Sequence, residues 1–192
     1  MRVILVHHKP GTTRGSRLLS DLARELEESF PVEASLYTPG QMPTAGSGDI
    51  VFILMLTRGG HFHEALSKAY EASAVYGPIP YWITASYIAE AAGGRGERVL
   101  LAYHRARRMP DLQMRDIVFI AGKASSLLGV PVEPVEISRL GQVIHAYDSR
   151  VVVVPLTVTP SRLLGMDTSL LSITHSRRLL AGWITGILSR HV

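Results

Sequence analysis

At 192 residues, with 46% apolar and 19% charged side chains, the chain has the composition to build a core and is not that of a disordered polymer. It contains no cysteine, which excludes disulfides, thiolate metal sites and cysteine nucleophiles; any transition metal must be held by histidine or oxygen. A formal charge of +4 with eight histidines in reserve suits an anionic partner, without choosing among a polycarboxylate, a phosphate, nucleic acid or a membrane surface.

The first element, Arg2–Lys9 (RVILVHHK), is an apolar strand that ends in His7 and His8 and breaks into a Lys/Pro/Gly/Thr loop. It lacks the apolar length of a secretory signal, and the longest apolar run, Ile50–Leu56, is far too short to cross a bilayer, so a cytoplasmic protein is expected. A helix follows over Ser16–Phe30, a β-rich run over Pro31–Tyr37 and a third strand over Asp49–Leu56. Next comes Thr57–Glu64 (TRGGHFHE), carrying His61 and His63. Ile79–Ser86 (IPYWITAS) is predicted as a further strand and Tyr87–Ala92 as a helix. Ala92–Glu97 is a glycine-rich linker.

The order then repeats. Arg98–Arg105 (RVLLAYHR) resembles the first strand and sets His104 opposite His8, 96 residues on. A helix over Gln113–Gly129, a β-rich run over Pro131–Ser138 and a strand over Arg150–Val158 reproduce the earlier elements. A closing strand and helix are expected in this half too. Leu179, Leu180, Trp183, Ile184, Ile187 and Leu188 share helical spacing within Thr174–Val192, which predicts a docked terminal helix. Strands that are continuously apolar rather than alternating are buried on both faces, as in a parallel sheet. The fold expected is therefore α/β: two similar parallel-sheet domains, residues 1–95 and 96–192, related by an internal repeat.

Ligands of open parallel sheets bind beyond the carboxyl ends of the strands. Because successive side chains point to opposite faces, one of His7 and His8 enters that crevice. His61 or His63 follows a strand of the same sheet. Two loops at one edge thus each offer imidazole, as a two-histidine metal site with open positions would require. Against this stands the ordinary fate of a strand-end histidine, which is to be solvated or to cap.

The segments VILVHHKPG and ILMLTRGGHFHE resemble the two signatures of the class II tetrapyrrole chelatases, the sirohydrochlorin cobalt, nickel and iron chelatases: an apolar strand before His-Gly-Ser, and an apolar strand before Gly-x-His. The resemblance implies paired α/β domains of chelatase-like, flavodoxin-like topology facing a tetrapyrrole cleft. It implies a lyase-class enzyme that takes Co²⁺, Ni²⁺ or Fe²⁺ as substrate and needs no organic cofactor. His8 and His61 fall on the metal-binding histidines, with metal delivery and acceptance of pyrrole protons as their joint role, and Gly59 falls on the signature glycine. Here His7 replaces the glycine before the first histidine, Lys9-Pro10 replaces the Gly-Ser after it, and Ile53 stands where a proline often opens the second signature. In the second half Pro155 fills that place, but Leu163 stands where His61 stands in the first. One complete site per chain follows, with His104 either a third ligand or a relic.

Substrates of that class carry acetate and propionate groups, for which Lys9, Arg14 and Arg58 are candidate partners. Gly59 and Gly60 let backbone approach a flat ring or simply permit the turn. His63 and Glu64 are candidate accessory groups, though first-turn residues facing water are the commoner case. Three rivals compete: a phosphate loop at Gly11–Ser16, nucleic-acid binding through the basic run Tyr103–Pro110 with Arg177 and Arg178, and a chelatase relative that binds metal or tetrapyrrole without joining them. The first has no Walker pattern and the second no recognisable module.

Overall fold

A computed structural model describes residues 1–147, 150–160 and 168–192. Strands β1 (Arg2–His7), β2 (Glu33–Tyr37), β3 (Asp49–Leu54) and β4 (Ala74–Tyr76) form a parallel sheet in the order β2-β1-β3-β4. Strands β5 (Arg98–Tyr103), β6 (Val132–Glu136) and β7 (Val151–Pro155) form a second, in the order β6-β5-β7. The order β6-β5-β7 repeats β2-β1-β3, so the duplication read from the strands is present in the topology.

Alternation along β1 explains how one strand serves two cores. Val3 and Leu5 join a large apolar cluster, while Ile4 and Val6 face a smaller one with Met42, Phe62 and Ala65. The large cluster draws on both sheets: Val3, Leu5, Phe52 and Leu54 from the first, and Val99, Leu101 and Val154 from the second. Between them lie helices α1 (Thr13–Ser29), α3 (Tyr81–Ala92), α4 (Pro110–Leu128) and α6 (Thr174–Leu188), which contribute Leu19, Ile83, Ile117 and Leu180 among others. Among the described residues the outer faces carry the short helices α2 (Gly60–Lys68) and α5 (Leu140–Ile144). Each large apolar side chain so enclosed contributes about 1.5–3 kcal/mol. No helix among the described residues is long and apolar enough to cross a membrane.

One predicted element is corrected. Ile79–Ser86 is not a strand: the edge strand is Ala74–Tyr76, and Tyr81 onwards is helical. Ile, Thr, Tyr and Trp give this segment β character, but burial of Ile83, Thr84, Tyr87 and Ile88 follows the spacing of a helical face. Pro80 occupies the N-cap, and Gly93 ends the helix in the left-handed region at φ 57°. The second sheet shows no fourth strand among the described residues.

Several contacts tie the two halves. Tyr87, wholly buried, donates its hydroxyl proton to the carbonyl of Pro155 at the end of β7. Arg177 pairs with Glu25, and Ser176 donates to Glu90 at 3.0 Å. Tyr87→Phe is expected to lower the free energy of unfolding in urea by about 0.5–1.5 kcal/mol, because the Pro155 carbonyl loses one of its two donors and keeps only the Thr157 N–H.

Candidate functional site

The pleat of β1 sorts its two histidines. His7, the last strand residue, turns inward, 7% exposed, with Nδ1 at 2.8 Å from the carbonyl oxygen of His8. Burial lowers its pKa, and that hydrogen bond offsets the effect only in part. His8 takes the opposite face and opens into the crevice. His61 stands in the first turn of α2, after the loop that leaves β3, the neighbour of β1 in the sheet.

The two imidazoles meet. His8 Nδ1 and His61 Nδ1 are 3.1 Å apart, with ring centroids at 5.0 Å and planes inclined by 52°. Two ring nitrogens this close repel through their lone pairs unless a proton or a cation lies between them. The surrounding chain desolvates the His8 ring although it retains open surface. That burial, followed by the influence of His61 and His7, lowers its pKa to about 4. His8 is accordingly neutral at pH 7, the form that ligates metal.

A cleft of about 900 Å³ surrounds the pair. Its walls are the loops that leave β1, β3, β5 and β7, all at the carboxyl ends of their strands. Both sheets change direction there, β1 lying between β2 and β3 and β5 between β6 and β7, which is the topological switch point where open α/β sheets hold ligands.

The remaining candidates are distributed unevenly. Lys9, Glu64 and His104 line the cleft. Among the described residues no group of three His, Asp or Glu side chains is placed to hold an ion. His63 packs edge-on against Phe62 outside the cleft lining, and its Nε2 is buried without a hydrogen-bond partner among the described residues. Arg14 stands in the first turn of α1, also outside the lining. Leu163 falls outside the described residues.

Arg58 has a different use from the one expected of it. Its Nη2 lies 2.6 Å from Asp116 Oδ1, its Nε is 3.1 Å from both carboxylate oxygens, and its backbone N–H donates to Oδ2 at 2.7 Å. Tyr81 donates its hydroxyl proton to Asp116 Oδ1 at 2.8 Å. Asp116 is 1% exposed, yet its pKa lies below the usual carboxylate range: burial opposes ionisation, and the hydrogen bonds from Arg58 and Tyr81 outweigh it. This knot fastens the β3–α2 loop to α3 and α4, so Arg58 positions the segment leading to His61 and stands outside the cleft lining.

Gly59 and Gly60 line the cleft, and both also allow the two halves to close on one another. A Cβ on Gly59 would lie 3.2 Å from Ala106 Cβ, and one on Gly60 would lie 2.9 Å from Arg108 Cβ. Gly60→Ala is expected to cost about 1–3 kcal/mol in urea unfolding, since the first carbon of Arg108, not its flexible end, must move.

Sequence reasoning passed over Arg105, Arg107, Arg108 and Gln113 as parts of this cleft. The signal was available: the internal repeat aligns Arg105 with Lys9, and so places the basic run at the same kind of strand end.

Two parallel sheets in duplicated order, with two histidines converging beyond the carboxyl edge of the first, define a chelatase-like α/β fold. The solved structures include a similar one, the sirohydrochlorin chelatase SirB from Bacillus subtilis subspecies spizizenii in complex with cobalt, with a TM-score of 0.62 and 15% sequence identity. The match covers 93% of this chain and 81% of that one. At this identity the likeness is one of fold. No protein-family model and no curated protein matches the sequence.

Proposed function

We propose that this protein inserts Co²⁺, Ni²⁺ or Fe²⁺ into a sirohydrochlorin-type tetrapyrrole, with His8 and His61 as the metal-delivering pair. The observation that carries this reading is the 3.1 Å approach of two Nδ1 atoms at a cleft large enough for a flat organic ligand. Imidazole nitrogens bound to one cation at about 2.0–2.1 Å and roughly at right angles lie about 3 Å apart. The likeness to a chelatase solved with cobalt supports the same reading.

Two neutral imidazoles leave the remaining coordination positions to water, which ring nitrogens displace. They hold a first-row cation without the retention that thiolates would impose. Insertion exchanges one divalent cation for two pyrrole protons. Those protons leave through the histidine pair to the water of the open cleft, so charge and atoms balance. Lys9 and the basic loop after β5 line a concave space, which favours a small polyanion over nucleic acid as partner.

The test is an absorbance assay of protein, sirohydrochlorin and Co²⁺. A protein-dependent spectral change that disappears in the His8→Ala and His61→Ala variants is the expected result. Binding of both ligands with no acceleration over the protein-free reaction would reject the enzyme in favour of a carrier.

A further inference from the structure

We propose that the two halves divide the work, and that the second half supplies an anion-binding wall: Arg105, Arg107 and Arg108, on the loop between β5 and α4, grip peripheral carboxylates of a flat ligand lying against the His8–His61 pair. This deepens the function proposed above by naming the residues that select its substrate class.

Four observations converge on this loop. All three arginines line the cleft, and none forms an ion pair among the described residues. By contrast Arg2, Arg58, Arg98 and Arg177 are each paired with a carboxylate of the chain. Glu64 is the one carboxylate among the described lining residues, so the wall's positive charge is largely unbalanced from within. Cations gathered on a concave surface focus their field into the cleft.

The loop is also built to hold its shape. Gln113, one turn into α4, donates from Nε2 to the His104 carbonyl at 2.9 Å and accepts at Oε1 from the Ala106 N–H at 2.7 Å. This two-point clamp spans the segment that carries the first arginine. Met109, at φ 57° in the left-handed region and directly before Pro110, turns the chain sharply into the helix. On its other side the loop rests against Gly59 and Gly60. Side chains mounted on such a fixed backbone lose less freedom on gripping a ligand.

The repeat supplies the fourth observation. Lys9-Pro10-Gly11-Thr12 after the first histidine corresponds to Arg105-Ala106-Arg107-Arg108 after the second, one cation against three. The half in which Leu163 replaces the second histidine is thus the half enriched in guanidinium, whose planar fork matches carboxylate in two-point fashion.

The experiment is a fluorescence titration of the full chain with an octacarboxylate porphyrin and with its octamethyl ester, alongside Co²⁺ binding by calorimetry. The octaacid is expected to bind the wild type and the ester to bind far more weakly. An Arg105→Gln/Arg107→Gln variant is expected to bind the octaacid roughly tenfold more weakly, with its Co²⁺ affinity unchanged as the sign of an intact fold. His8→Ala is expected to lose Co²⁺ binding. Equal octaacid affinity in the arginine variant and the wild type, equal affinity for acid and ester, or no octaacid binding at all would overturn the proposal. Arginine-dependent octaacid binding in a protein that inserts no metal would refute the chelatase reading and leave this one standing.

Discussion

Replacing either His8 or His61 with alanine is expected to abolish Co²⁺ binding and to slow metal insertion by roughly two to four orders of magnitude. Each ring supplies one of two converging nitrogens, and among the described residues no third imidazole or carboxylate stands close enough to substitute. A cation left with a single imidazole has lost the chelate, so either single replacement should remove nearly all of the effect. The double variant should then be little worse than either alone, because groups that act as a unit are not additive. Calorimetric Co²⁺ titration and initial insertion rates of the four proteins make the comparison. Two independent, multiplying losses would show that the histidines do not share one ion. His7→Ala serves as the neighbouring control: its ring is buried and bonded to the His8 carbonyl, so its loss should reach the site only through the strand end it supports.

Arg58→Ala is expected to destabilise the fold by about 3–5 kcal/mol, since it leaves a carboxylate that is 1% exposed without its cation. The side chain of Arg58 is 39% exposed, so solvent screening places the loss toward the lower end of that span. The pH dependence separates this from simple loss of packing. In the wild type the Asp116 pKa is lowered on folding, so the ionised carboxylate contributes stability above its unfolded value of about 4. That contribution disappears as pH falls through the lowered folded value. Without the guanidinium, burial is opposed only by the backbone N–H of residue 58 and the Tyr81 hydroxyl, so the carboxyl pKa rises above its wild-type value. The gap in urea midpoint between wild type and variant should therefore be wide at pH 7 and narrow toward pH 4. A gap independent of pH would show that Arg58 contributes packing alone. Because the knot also fixes the segment leading to His61, weaker Co²⁺ binding is expected in the variant even where it remains folded.

Much of this architecture was legible in the chain itself. The repeat of Arg2–Lys9 in Arg98–Arg105, the uninterrupted apolar strands and the terminal amphipathic helix specify two parallel-sheet units, because strands buried on both faces leave no polar alternation. The position of His8 and His61 at adjacent strand ends followed from the same pattern, since β1 and β3 are neighbours and their carboxyl ends share one edge. The helix Tyr81–Ala92 was misjudged because β-branched and aromatic residues favour strands only where cross-strand neighbours exist. Here the partners are helices α4 and α6.

Tertiary structure alone decided which cations line the cleft. Charge and loop membership treated Lys9, Arg14 and Arg58 alike. Yet Lys9 lines the cleft, Arg14 stands outside it, and Arg58 is drawn to a carboxylate 58 residues away on α4. Pairing depends on distance in space, and for groups so far apart along the chain that distance is set by how the helices pack. The sequence by itself determined the three strands common to both halves, their duplication and the imidazoles beyond their ends, because apolar patterning is a local property, while the edge strand Ala74–Tyr76 escaped it. The packing of the two halves decided that Arg105, Arg107 and Arg108 face the first half's histidines across one cleft, because only a folded interface brings those loops together.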